Sequence, residues 1–417
     1  MTRRILTVLL ILLAAAAVWW LFFHRTETST IKIGVLHSLT GTMAISEKSL
    51  VDAVQMAVEE INDKGGISGR KIETVVADGR SDWNAFAREA ERLILEERVS
   101  TIFGCWTSAS RKNVKQVVEK HNHLLIYPLQ YEGLEDSPNI IYTGAAPNQQ
   151  IIPAVKWCLD NLGKKFFLVG SDYVFPHTAN AIIRDQLRAL HGEVVGEEYL
   201  SLGSKQVGGL IQQIKQSGAE VILNTINGDS NIPFFHALRQ GGISPGEIPV
   251  MSFSIAEEEL RNMNKTEMAG DYASWNYFQS IHEPGNLDFI QRYKTRYGAT
   301  RVTDDPIATA YFSVYLWAQA VEEGQSDSVR SIRERMKDQS YQAPGGIVYV
   351  DATTRHTWKP VRIGKIRQDG QFDVIWSSGR AVRPIPFPAY RRRVEWEKFL
   401  NQLYVQWDRN WANPDKK

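Results

Sequence analysis

Cysteine is almost missing from this chain. Cys105 and Cys158 are the only two in 417 residues. That is too few for a disulfide framework or a zinc site, and both read as buried thiols. Familiar catalytic strings are scarce too: there is no HExxH, no GxxxxGK[ST], and no GxGxxG after the first strand. The nine histidines are scattered. His121 and His123 straddle a strand start, and His356 stands alone in a polar turn after Arg355. No catalytic residue, metal or cofactor is therefore expected; the alternative is a hydrolase site assembled from distant residues. A net charge of +1 supplies no basic field for nucleic acid. Repeats and low-complexity segments are absent as well, which with 43% hydrophobic and 23% charged residues argues against disorder.

What is present begins with an apolar run, Ile5 to Phe23, behind Arg3 and Arg4. Nineteen residues at about 1.5 Å each reach roughly 28 Å, close to the hydrocarbon thickness. Residues 1–30 therefore read as a membrane anchor and tether, with a cleaved signal segment as the alternative. The arginines keep the N-terminus cytoplasmic, so the body is exported.

That body is too long for one core, so two lobes are expected. Ile31–Leu36, Ile72–Val76 and the strand ending at Gly104 alternate with helices whose apolar faces carry Leu50, Val54 and Ile61, then Phe86, Ala90 and Leu93. This β-α-β-α-β order means an α/β fold with parallel, doubly wound sheets. A second alternation follows Pro147, with strands at 166–169, 193–199, 220–225 and 249–253. Ser254-Ile255-Ala256-Glu257 reads as a capping box, so Glu257-Glu258-Glu259 read as a solvated first turn. Asp304-Asp305-Pro306 reads as a helix cap. Helices near 286–297 and 305–323 lack intervening strands, then residues 347–377 turn β-rich, so the chain returns to each lobe. Pro384, Pro386 and Pro388 mark a linker. The C-terminal helix, 390–411, is amphipathic and docks on a lobe or, alternatively, on a membrane surface or a partner.

In such sheets, ligands bind where strands end and helix N-termini present free N–H groups. Three strand ends carry aromatics beside small polar groups. They are Gly104-Cys105-Trp106-Thr107-Ser108, Tyr127-Pro128-Leu129-Gln130-Tyr131-Glu132-Gly133 and Gly170-Ser171-Asp172-Tyr173-Val174-Phe175-Pro176. That lining suits a small, mostly neutral polar ligand.

These three strings resemble urea-binding proteins of ABC importers, which are related to short-chain amide sensors. So do Leu36–Glu47, Gly144–Gln150 and Asn227-Gly228-Asp229-Ser230-Asn231. The resemblance implies a type I periplasmic-binding fold: two Rossmann-like lobes joined by three hinge crossovers. By it, residues 31–147 plus 275–340 form the first lobe and 148–274 plus 341–377 the second, with 378–417 as linker and C-terminal helix. It also implies a ligand site built from Trp106, Ser108, Tyr127, Gln130, Tyr173, Phe175, Asn227, Gly228 and Asp229. The implied role is capture of urea, or a short-chain amide, at the extracytoplasmic face for delivery to ABC permease subunits. Where those receptors commonly carry a lipoprotein cysteine, this chain has its apolar segment, so a membrane-anchored sensory ectodomain is the alternative.

Overall fold

Strands that read as unbroken apolar runs between amphipathic helices pair in parallel and are covered on both faces. In the computed structural model, which describes residues 30–414, five of them form one sheet. They are β1 (Ile31–His37), β2 (Ile72–Asp78), β3 (Ile102–Gly104), β4 (Leu125–Tyr127) and β5 (Ile140–Tyr142). Their order is β2-β1-β3-β4-β5, all parallel. Helices Ala44–Asp63 and Asp305–Gly324 pack on this sheet and on each other. Together they close the first core around residues such as Ile33, Leu50, Phe103, Val314 and Trp317.

The second sheet begins with β6 (Lys165–Ser171), β7 (Glu193–Leu200), β8 (Val221–Thr225), β9 (Val250–Ser252) and β10 (Tyr272–Trp275). After a small antiparallel sheet of β11 (Ser340–Ala343), β12 (Gly346–Val350) and β13 (Thr357–Trp358), it resumes with β14 (Arg362–Ile366) and β15 (Phe372–Ser377). Its order is β15-β14-β10-β9-β8-β6-β7, and β14 and β15 run antiparallel to their neighbours. The expected strands at 166–169, 193–199, 220–225 and 249–253 therefore lie within a residue or two of β6 to β9.

The chain passes from lobe to lobe near Gln149, Asn276 and Pro360. Asn276 ties these passages together: its Nδ2 donates to Gln149 O at 2.9 Å and to Pro360 O at 2.8 Å. One boundary differs from the sequence reading, which puts 341–377 in the second lobe. Ala343, Val348 and Val350 pack in the first core, and His356 stacks on Tyr142 with ring centroids 4.3 Å apart. The return to the second lobe thus comes at Pro360. His356 is also not in a polar turn but fully buried, and burial lowers its pKa to about 4.

A second correction concerns Glu257-Glu258-Glu259. These are not solvated; all three are buried, because their helix (Glu257–Asn262) packs against Ala44–Asp63 of the other lobe. The cap also falls two residues later than Ser254: Glu259 Oε2 accepts from the N–H of Ala256 at 3.0 Å. Asp304 does cap its helix, accepting from Ile307 N at 2.8 Å.

The proline-rich linker is docked, not free. Leu134 N donates to Pro386 O at 2.8 Å, and Asn148 Oδ1 accepts from Ile385 N at 2.7 Å. The C-terminal helix, Arg393–Gln406, lies on the second lobe, with Trp396, Leu400, Leu403 and Trp407 in its core. The expected anchor lies outside the described residues. Among those described, no helix is long and apolar enough to cross a membrane.

Candidate functional site

The site starts at the end of β3. A Cβ on Gly104 would lie 2.1 Å from Leu36 O, so only glycine lets β3 lie this close to β1. Cys105 then takes a positive φ of 66°, and the chain turns Trp106 into the space between the lobes, where it is buried. Thr107 caps the next helix (Ser108–Lys120), accepting from Ser110 N at 3.1 Å. Ser108 opens that helix and donates to the Glu132 carboxyl.

One turn on, Arg111 is fully buried and engaged on every side. Its Nε reaches Glu135 Oε1 at 2.9 Å, its Nη2 reaches Glu132 Oε1 at 3.1 Å, and its Nη1 donates to Ser108 Oγ at 2.9 Å. The guanidinium also lies over the rings of Tyr127 and Tyr131, 4.9 and 4.4 Å from their centroids. Burial would raise the Glu135 pKa, but Arg111, Lys112 and Lys115 hold it well below the usual carboxylate range. Tyr127, whose own pKa burial pushes up, donates to Trp106 O at 2.6 Å and so binds the β4 exit to the β3 exit.

Across the cleft, Asn227 follows β8. Its N–H donates to Ser171 Oγ at 3.0 Å, and its Oδ1 accepts from Trp106 Nε1 at 3.4 Å. This contact joins the two lobes at the centre of the site. Gly228 needs its freedom: φ is 68°, and a Cβ there would sit 3.0 Å from both Met43 Sδ and Thr42 O. Asp229 is half-buried at the rim, accepting from the Thr42 hydroxyl. Tyr173 enters from the second lobe and is buried, with its ring 6.2 Å from that of Trp83 and 6.3 Å from that of Phe175. Burial first, then the fields of Tyr127 and Glu132, raise its pKa well above the ordinary phenol value.

Trp106, Ser108, Tyr127, Tyr173, Asn227 and Gly228 thus converge on one interlobe space. Three expected residues sit differently. Phe175 packs into the second core. Asp229 closes the rim against Thr42. Gln130 lies where the lobes meet: its Nε2 donates to Phe253 O at 3.1 Å, while its Oε1 is buried without a partner. Residues with no role assigned from sequence are Arg111, Glu132, Glu135 and the buried pair His37–Glu47, whose Nδ1 and Oε2 are 3.2 Å apart. Charged residues inside apolar strand-exit strings were the available signal.

A GxSxG string does occur, Gly242-Ile243-Ser244-Pro245-Gly246. It forms an irregular turn before β9, not a strand-to-helix elbow, and the Ser244 hydroxyl donates to Glu247 at 2.9 Å. Among the described residues, no group of three or more His, Cys, Asp or Glu is placed to hold a metal.

Two α/β lobes joined by three passages and meeting over a buried polar site define a bilobal solute-binding protein. The chain belongs to the periplasmic binding protein family: the profile of the periplasmic binding protein domain matches residues 31–393. Membership of this family makes it an extracytoplasmic binding protein rather than an enzyme. It is 22% identical to Leu/Ile/Val-binding protein homolog 6 of Brucella melitensis, over 82% of this chain and 89% of that one. A solute-binding protein of an ABC transporter from R. palustris, solved with 4-hydroxybenzoate, superposes with a TM-score of 0.75. The identity is 23%, covering 84% of this chain and 96% of that chain. A shorter stretch of 124 residues is 32% identical to limonene hydroxylase of Geobacillus stearothermophilus, covering 30% of this chain and 22% of that protein.

Proposed function

We propose that the chain captures urea, or a short-chain amide, between its lobes and hands it to an ABC importer, with Ile5–Phe23 tethering the body to the inner membrane. The observation that carries this reading is the committed state of Arg111. Arg111 is a buried cation of this site, but Glu132, Glu135 and Ser108 hold it, so its guanidinium is not offered to a carboxylate ligand. The site is instead rich in acceptors.

Urea offers four N–H donors and one carbonyl acceptor, so its pocket must supply more acceptors than donors. In this reading Glu132, Asn227 Oδ1 and the unpaired Gln130 Oε1 receive the ligand's N–H groups. Ser108 and Tyr127, whose hydroxyl protons go to Glu132 and Trp106 O, form the first-lobe wall, and the Trp106 N–H, held by Asn227 only at a long 3.4 Å, turns to the ligand's carbonyl. Trp106 and Tyr173 supply flat faces, Phe175 backs Tyr173, and Gly228 with Asp229 closes the rim. For four heavy atoms at a ceiling of about 1.5 kcal/mol each, binding yields about 6 kcal/mol, or tens of micromolar.

The test is a thermal-shift and calorimetry panel of urea, formamide, acetamide, leucine and 4-hydroxybenzoate on the detergent-solubilised full chain. Urea or a short amide is expected to raise the melting temperature, and Trp106→Ala to weaken that binding about tenfold or more. A shift with leucine or 4-hydroxybenzoate and none with urea or the amides overturns the ligand assignment.

A further inference from the structure

The family profile stops at Arg393, yet the chain continues. Helix Arg393–Gln406 packs beside helix Val174–Ala189, the helix that Tyr173 precedes. After Trp407 the backbone turns through two left-handed residues, Asp408 and Arg409, with φ of 52° and 56°. It then runs back antiparallel to residues 172–174. Val174 N donates to Trp411 O at 2.9 Å, Asn413 N donates to Asp172 O at 3.2 Å, and Tyr173 pairs with Ala412 between them. The Asn413 side chain adds a bond to Asp172 Oδ2 at 3.0 Å. On its other edge, Asp172 N donates to Leu200 O at 2.7 Å. The backbone that carries Tyr173 is thereby held between β7 and the C-terminal tail.

The same tail reaches the first lobe. Lys112 Nζ lies over the Trp411 ring, 4.7 Å from its centroid, and Lys112 is the neighbour of Arg111 and is itself paired with Glu135 at 3.1 Å. Tyr404 packs against the Trp411 ring as well, tilted, with ring centroids 4.5 Å apart. A cavity of about 230 Å³ at the cleft mouth is lined by Thr42 and Trp83 of the first lobe, Asp172 and Leu202 of the second, and Ala412 and Asn413 of the tail.

We propose that residues 407–414 form a strap in which Trp411 and Asn413 are positioning residues for ligand binding. The backbone bonds of the strap set Tyr173 in the cleft, and the contact of Trp411 with Lys112 fastens the tail to the opposite lobe when the cleft is shut. The ligand named in the test rests on the urea reading above; the strap does not.

Three full-chain variants test it: Asn413→Pro, which removes both bonds to Asp172; Trp411→Ala; and Trp411→Phe. In hydrogen–deuterium exchange without ligand, Asn413→Pro is expected to speed exchange across residues 171–176 about tenfold or more. In calorimetry with urea, Asn413→Pro and Trp411→Ala are expected to weaken binding about tenfold. Trp411→Phe, which keeps a ring for Lys112, should recover to within about threefold. Unchanged exchange and unchanged affinity overturn the strap while leaving the urea reading intact. If the wild-type chain ignores urea and binds another ligand of the panel, the urea reading falls and the variants are compared on that ligand. If the wild-type chain binds nothing in the panel, exchange at 171–176 decides alone, and an unchanged rate there overturns the proposal.

Discussion

Arg111 is the residue on which the candidate site's electrostatics turn. A guanidinium taken wholly out of water is tolerated only with full pairing, and here Glu132, Glu135, Ser108 and two tyrosine rings supply it. Arg111→Met removes one charge and leaves two buried carboxyls facing each other. Denaturant unfolding is expected to show a loss of about 3–5 kcal/mol; a loss under about 1 kcal/mol would mean that water reaches the cluster. At this scale the sequence was only partly readable. Trp106, Ser108, Tyr127 and Tyr173 stand in strings whose residue types announce a polar-aromatic pocket, and the structure brings them together. Arg111 and Glu132 stand in the same strings, but their pairing depends on the distance between the β3 and β4 exits, which only the sheet order decides.

Helix Glu257–Asn262 is the element whose environment differs most from its sequence pattern. Three glutamates at a helix start look solvated, yet this start is pressed against the first lobe. Glu257 Oε1 accepts from Gln279 N at 2.7 Å, while Glu257 Oε2 and Glu259 Oε1 are buried without partners. Ser46 and Asp304 face them from the first lobe. Glu258 is paired with Arg261, Asp305 lies 3.4 Å from Lys359, and Tyr277 adjoins Glu257. Burial raises Glu257 to about 8 and Glu259 to about 7, and burial with those neighbouring carboxyls raises Asp304 well above 3.8. A raised carboxyl pKa means that the closed state holds protons which the open or unfolded state releases above its ordinary pKa. Closing therefore takes up protons at these carboxyls, and the stability they contribute is fully present below the ordinary carboxyl pKa and is lost as pH rises toward about 8. Both melting temperature and ligand affinity are expected to decline between about pH 6.5 and pH 8, above the range in which the buried His356 adds stability as pH rises, the affinity several-fold. Glu259→Gln should flatten that slope. A wild-type profile that is flat over this range, or that rises with pH, would mean that these carboxyls stay ionised in the closed state.

At the scale of the whole molecule, the lobes are coupled through the three passages that Asn276 binds together. Asn276→Ala leaves two crossover carbonyls without their donor, at a cost of about 1–3 kcal/mol. Small-angle scattering of the ligand-free variant is expected to give a larger radius of gyration than wild type. An identical radius would place the hinge constraint elsewhere, for instance in Gln150, whose Nε2 reaches Phe253 O and Ser274 O across the same junction.

The sequence alone determined the α/β class, the parallel pairing within each lobe, most strand and helix positions, and the strand ends that carry aromatic and hydroxyl groups. Those properties follow from local periodicity, from turn residues, and from the rule that parallel sheets are buried on both faces. The tertiary structure decided the rest. It assigned residues 341–358 to the first lobe, buried the three glutamates, stacked His356 among tyrosines and carried the C-terminal tail back to Tyr173. Each of these depends on which distant surfaces meet. Burial of a glutamate or a histidine is set by the facing lobe, and no periodicity within its own element encodes that neighbour.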